Sequence, residues 1–272
     1  MASRSLFLSP QRTRRTLPSA PWGWALGGLL LGCLLVLLWQ APARWLASYV
    51  HSGTQGHVNF QDVRGTVWQG SALLQLTGGA GSLDAAALPG RLSWQLRRDG
   101  AALQAQLLAD CCIQQALQVQ VSLGWGGLQL AVSDSQSQWP ASLLVGLGAP
   151  WNTVLPEGQL SLSTQGLVVQ LMQGRSSVRG SVRLEAQALS SRLSPLKPMG
   201  SYRFTLTGGA LPSCALETLD GSLRLSGTGQ WVAGRLRFSG EASATPERQE
   251  ALSNLLNIIG RRDGARAIIK VG

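Results

Sequence analysis

From Val63 onward apolar and polar residues alternate with a period of two, the pattern of strands with one buried and one solvated face. Leu92, Trp94 and Leu96 alternate with Arg91, Ser93, Gln95 and Arg97. After Asp99-Gly100, Ala101, Leu103, Ala105 and Leu107 alternate with Ala102, Gln104, Gln106 and Leu108. An Asp-Gly pair between two such runs predicts a hairpin, because both central residues of a type I′ turn need positive φ. Leu117, Val119, Val121 and Leu123 form the next run, and Gly124 to Gly127 turn the chain into Leu128, Leu130 and Val132. Leu160/Leu162 are followed by a turn expected at Gln165-Gly166, then by Leu167/Val169/Leu171. Val178/Val182/Leu184, Tyr202/Phe204/Leu206, Leu223/Leu225 and Leu236/Phe238 complete the set. The reading is a mainly β fold of antiparallel strands, arranged as a sandwich, a barrel or a long open groove-like sheet.

Three stretches break the alternation. Trp22 to Trp39 is apolar throughout and uncharged, and as a helix it would be about 27 Å long, close to the hydrocarbon thickness of a bilayer. Pro140 to Pro156 is bounded by prolines and is expected to hold a short helix near Ser142 to Leu147, connecting two halves of the β region. After Thr245 as cap and Pro246 at the first helical position, Leu252, Leu255, Leu256 and Ile259 recur at helical spacing until Gly260. That predicts a short amphipathic helix packed on the sheet, or else free to dock a partner. The word Leu76-Thr77-Gly78-Gly79-Ala80 returns as Leu206-Thr207-Gly208-Gly209-Ala210. It raises the question of two related β halves, against a chance repeat in a glycine-rich β protein.

Charge changes the picture only locally. The 272 residues carry a formal net charge of +10, which invites a nucleic-acid reading. However, Arg4, Arg12, Arg14 and Arg15 precede the apolar run, Arg44 follows it, and no acid occurs before Asp62. Beyond residue 45, 18 basic and 13 acidic residues are scattered, with no basic stripe interleaved with aromatics, so no nucleic-acid partner is expected. The basic flank predicts a cytoplasmic start and a span with interfacial aromatics: Trp22 and Trp24 at entry, Trp39, Trp45 and Tyr49 at exit. The resulting division is a basic cytoplasmic tail over 1–21, a transmembrane helix over 22–45, a linker over 46–62 and a β-rich domain over 63–272, periplasmic in a bacterium. Ala41-Pro42-Ala43 has the form of a signal-peptidase site, and Leu30 to Cys33 loosely resembles a lipoprotein site; the length of the apolar run favours an uncleaved anchor.

Chemistry is sparse. His51 and His57 are the two histidines, six apart in the expected linker, with no glutamate between them to make a zinc-protease pattern. No G-x-S-x-G elbow, phosphate loop or paired carboxylate stands out, so the expectation is a non-enzyme with no catalytic, cofactor or metal residues and no small-molecule substrate. Cys111 and Cys112 are adjacent and Cys214 lies about 100 residues on. A bridge from either to Cys214, or free thiols, are the competing readings, with a strained vicinal Cys111–Cys112 bridge ranked last.

Several words together resemble protein N of the bacterial type II (general) secretion system, over nearly the whole chain. They are Arg64-Gly65-Thr66-Val67-Trp68-Gln69-Gly70, Leu189 to Tyr202, Cys214 to Gly229 with Trp231, and Leu255 to Gly272, after a basic end and a single span. The doubled cysteine departs from the pattern. The resemblance implies an accessory inner-membrane component, single-pass, without catalytic residues, contacting the inner-membrane assembly platform and the connecting protein C. The turn Gly65 to Gly70 is the candidate for a glycine-shaped feature. Two other readings compete: a membrane-anchored carrier of lipid or another apolar ligand, with a groove along Leu92, Trp94, Leu103, Leu117 and Val119, and a periplasmic chaperone released by cleavage at Ala43.

Overall fold

The computed structural model describes residues 22–272 apart from 125–126, 173–174 and 233. The arginines of the 1–21 segment and the middle of the Gly124 to Gly127 turn therefore lie outside the described residues. Two units are distinguished, 1–40 and 41–272. The first contains helix α1, Trp22–Trp39, which has no buried residue, is uncharged and is long and apolar enough to cross a membrane.

The second unit begins with a structure where a linker was expected. Pro42 precedes helix α2, Ala43–Gly53. Its inner side, with Ala43 buried and Leu46 half-buried, packs on Ala72 and Trp94. The helix expected over 22–45 is thus broken around Pro42, whose ring cannot continue an α1 hydrogen-bond ladder. What remains of the expected 46–62 linker is a short turn, because strand β1 already starts at Val58.

The strands are β1 (Val58–Gly65), β2 (Gln69–Thr77), β3 (Ala85–Ala87), β4 (Leu92–Asp99), β5 (Ala102–Ala109), β6 (Ile113–Gly124), β7 (Gly127–Val132) and β8 (Ser135–Pro140). They continue as β9 (Pro156–Met172), β10 (Arg175–Ser191), β11 (Gly200–Gly209), β12 (Ser213–Gly221), β13 (Leu223–Val232), β14 (Arg235–Ala244), β15 (Arg261–Asp263) and β16 (Arg266–Val271). All belong to one antiparallel sheet in the order β1-β2-β4-β5-β6-β7-β9-β10-β11-β12-β13-β14-β16-β15, with β3 on β2 and β8 on β9. It is essentially a meander: each strand pairs with its sequence neighbour, and β15 and β16 return after a helix. Of the architectures open to the alternation, this is the open sheet. It runs without a break through 140–156, where the chain detours through a 3-10 helix, Ala141–Leu147, and helix α3, Trp151–Val154, before β9 pairs back on β8.

The register explains the alternation. Leu103 faces Val121, Val121 faces Leu130, Leu130 faces Val169 and Val169 faces Val178, so one apolar row crosses five strands. The opposite face carries rows such as Gln95–Gln106–Gln118, and Gln104 Nε2 donates to Gln118 Oε1 at 3.1 Å. The turn expected at Gln165-Gly166 is instead a bulge inside the single long strand β9, with Gly166 at φ +52 and a register shift opposite Arg179 and Ser181. The extra residue changes the parity, so even-numbered Leu160 and Leu162 and odd-numbered Leu167, Val169 and Leu171 share the apolar face. The Asp99-Gly100 hairpin forms one residue later than expected. Asp99 pairs with Ala102, and Gly100, at φ +58, takes the first central position.

Helices cover the apolar face near one set of strand ends. Leu143 of the 3-10 helix packs with Leu88, Leu92, Ala109 and Ile113. Helix α4, Gln249–Ile259, buries Leu252, Leu255 and Leu256 against Met199, Tyr202, Leu223, Ala242 and Ala267. Each such leucine contributes about 1.5–3 kcal/mol relative to exposure. Pro246 starts a single 3-10 turn, Pro246–Arg248, and Thr245 holds it through its main-chain carbonyl rather than the expected side-chain cap. The two LTGGA words both close strands, β2 and β11. However, β4 pairs directly with β2, whereas β13 is separated from β11 by β12.

Candidate interaction surface

The glycine-bounded word Gly65 to Gly70 closes the β1–β2 hairpin. The Thr66 N–H donates to Gln69 O at 2.8 Å, and the Gln69 N–H to Thr66 Oγ1 at 3.1 Å. Gly65 has φ +87, and a Cβ there would strike the Gln69 carbonyl. A Cβ on Gly70 would lie 2.5 Å from Trp94 Cζ2 and 2.7 Å from Arg64 O. Both positions therefore require glycine, one for its backbone and one for space. The loop then clasps its surroundings. Val67 N–H donates to Ala41 O at 2.8 Å, Thr66 bridges to Pro42, Leu96 N–H donates to Trp68 O at 2.6 Å, and Trp94 Nε1 donates to Val67 O at 3.1 Å. The Trp94 ring stacks on Phe60 at 6.0 Å. The word is thus a structural knot joining the start of this unit to the edge of its sheet.

The residues nominated for a groove separate. Leu92 and Trp94 are buried under the 3-10 helix and α2, and Leu117 packs against the cluster around Leu92, whereas Leu103 and Val119 lie on the uncovered part of the apolar face. Exposure there is real: Leu103 is 39% and Leu123 74% exposed.

The polar face is tied by ions. Arg203 on β11 spans Glu185 on β10 at 2.8 Å and Glu217 on β12 at 3.0 Å, and these carboxylates hold its guanidinium pKa above the ordinary value. Asp62, at a bulge in β1 with φ +46, accepts from Arg64 at 2.8 Å and from Arg91 at 2.6 Å, which lowers its carboxyl pKa. Glu157 is lowered likewise by Arg192 and Lys197. Burial alone pushes up the Tyr202 phenol and the Cys214 thiol; Tyr202 donates to Leu223 O at 3.0 Å.

The cysteine reading needs correcting. Cys111 and Cys112, ranked last as a pair, form the disulfide, in the tight connection between β5 and β6. Cys214 is a buried free thiol on β12, five places along the sheet from β6, beyond reach of either. His51 and His57 are exposed, and His57 Nδ1 lies 3.1 Å from Thr77 O. Among the described residues no three His, Cys, Asp or Glu side chains gather to hold a metal.

What this part of the molecule offers is therefore surface: a sheet with two edges, a partly uncovered apolar face and an ion-laced polar face. A family model described as type II secretion system (T2SS), protein N matches residues 56–269. The chain belongs to the type II secretion system protein N family. The match starts just before β1 and ends within β16, so it takes in every strand of the sheet. No curated protein and no solved structure shows significant similarity to the chain. Membership makes the chain a component of the type II secretion system, a family of accessory secretion proteins rather than of known enzymes. Sequence reasoning missed α2 and the knot at its base. The clue was there in Ala43, Leu46, Ala47 and Val50, an apolar stripe at helical spacing behind a proline.

Proposed function

We propose that the chain is an accessory inner-membrane subunit of the type II secretion system, anchored by α1 with its basic end in the cytoplasm and its sheet in the periplasm. There it contributes to export of folded proteins through contacts with the assembly platform and protein C. The family match over residues 56–269 carries this reading. Supporting it, α1 is 18 residues long and uncharged, with tryptophans at both ends. Trp45 and Tyr49 lie one turn apart on the exposed side of α2, three residues and more beyond Pro42, where interfacial aromatics would sit.

Release by cleavage at Ala43 fits poorly. Ala41 and Ala43 are 7% and 1% exposed, and Ala41 O accepts from Val67, so a cut there would sever part of the folded unit. Crosslinking in cells followed by pulldown tests the reading. Recovery of secretion subunits with the uncleaved chain is the expected result; their absence overturns it, and a mature protein starting at Arg44 overturns the anchor.

A second reading, a carrier of apolar ligands, draws on the half-exposed row Leu103–Val121–Leu130–Val169. Lipid extracted with the purified chain would favour it over docking.

A further inference from the structure

The two edges of the sheet differ. The β1 edge is blunted: its strand is bulged at Asp62, which binds two arginines, and α2 packs beside it. Such devices discourage pairing with another strand. The other edge is covered only in part. β15 is three residues long and pairs Arg261 with Ile268, Arg262 with Ala267 and Asp263 with Arg266, so Ile269 to Val271 have no strand on that side.

The pairing alternation says which groups are free there. Asp263 and Arg266 close a two-residue hairpin, so Arg266 and Ile268 direct their main-chain groups toward β15. The Ile268 carbonyl indeed faces Gly260. Two residues on, Lys270 points its N–H and C=O to the same side, where no described residue pairs with them. A cavity of about 640 Å³ opens at this spot, with Ile259, Ile269 and Val271 as apolar walls. Arg261, Arg262 and Lys270 also line it, against one acid, Asp263. The Arg262 Nε donates to Gly264 O at 2.8 Å, but its Nη1 is buried and has no hydrogen-bond partner among the described residues. A buried guanidinium nitrogen without an acceptor is uncommon, and its natural complement is a carboxylate.

We propose that the β15–β16 edge binds an extended, acid-bearing peptide segment of another secretion subunit. A carboxylate of that segment pairs with the Arg262 guanidinium, its main chain pairs with Lys270, and an apolar side chain enters beside Ile259 and Ile269. This is strand addition steered by charge. The observations select this occupant over two others. A lipid headgroup matches the cations but has no main chain to pair with Lys270. A second copy meeting edge to edge would set Arg261, Arg262 and Lys270 against their own like charges. The proposal rests on the reading of the chain as a secretion-system component.

The test uses the full-length chain in cells carrying an active type II system, with a photoreactive residue at position 269 or, as a control, at Gln120 on the far side of the sheet. Position 269 is expected to crosslink a secretion subunit, within a peptide containing Asp or Glu. The yield should fall about tenfold or more with Arg262→Glu plus Lys270→Glu and partially with Arg262→Gln. Thermal melting shows whether the double variant is folded, and the unsubstituted chain with the probe at 269 tests the site without it. Crosslinks to secretion subunits from position 120 but none from 269 overturn the docking edge and leave the secretion reading intact. Crosslinks from 269 only to lipid or to another copy of the chain also overturn it. No secretion subunit captured from either position overturns both.

Discussion

The Trp94 indole nitrogen donates to the carbonyl of Val67 across 27 residues of chain, at 3.1 Å. This bond ties the β1–β2 loop to β4, and the same loop holds Ala41 through the Val67 N–H. Trp94 is 5% exposed and stacks on Phe60. Trp94→Phe keeps most of the packing but leaves the Val67 carbonyl without its donor, a loss of about 1 kcal/mol. Trp94→Ala removes the ring as well, a loss of about 3–5 kcal/mol. Urea unfolding of the detergent-solubilised chain checks both values. Equal losses would mean that the bond, rather than the ring, dominates.

Gly70→Ala tests the same knot from the other side. The added methyl would overlap Trp94 Cζ2 at 2.5 Å and the Arg64 carbonyl at 2.7 Å, and backbone cannot yield as a side-chain tip can. We expect a loss of about 1–3 kcal/mol, the usual scale for overpacking. Gly124→Ala, at a position with open space, should change stability by no more than about 1 kcal/mol. A melting temperature unaltered by Gly70→Ala would show that the loop is not tightly seated.

The apolar face was readable because cross-strand rows such as Leu103–Val121–Leu130–Val169 are built from strict alternation, and a strand cannot bury one face without it. The leucine stripe of α4 was readable for the same reason at helical period. Three features resisted. Gly166 looks like any glycine turn, and only its partners Arg179 and Ser181 reveal a bulge. α2 hid behind exposed Trp45, Tyr49 and His51, because its stabilising contacts, Ala72 and Trp94, lie far along the chain. The docking edge was invisible. No local pattern says that β15 covers only half of β16, or that Arg262 Nη1 lacks an acceptor.

Acid should loosen the β1 edge. Arg64 and Arg91 hold the Asp62 carboxyl pKa below its ordinary 3.8, so its bonds favour the folded state fully above pH 3.8. That contribution is lost as pH falls through the lower, folded value. Asp62→Asn removes this proton linkage. Its stability should fall less steeply than that of the unsubstituted chain below about pH 3.8, where the unfolded carboxyl titrates. Parallel slopes for the two chains in urea titrations at stepped pH would show that the two arginine contacts carry no linkage.

Leu256 and Ile258 separate packing from helix propensity in α4. Leu256 is fully buried against the sheet, and Ile258, two residues on, is 39% exposed. Leu256→Ala should cost about 2–5 kcal/mol, and Ile258→Ala under about 1 kcal/mol, since alanine is itself a good helix former. If the two substitutions cost the same, α4 is not seated on Tyr202, Leu223 and Ala267.

The cysteine pairing gives a prediction that mass spectrometry can decide. With Cys111 and Cys112 joined, the unfolded, unreduced chain should take up two alkyl groups, at Cys33 and Cys214, and four after reduction. In the folded chain Cys214 should react slowly, because it is 4% exposed and burial disfavours its thiolate, the form that attacks the reagent. The alternative bridge to Cys214 would close a loop of about 100 residues and pin β12 to the β5–β6 connection. In the observed meander β6 and β12 are five inter-strand spacings apart, each about 4.8 Å. A peptide linking Cys214 to either Cys111 or Cys112 would therefore contradict the strand order as well as the disulfide.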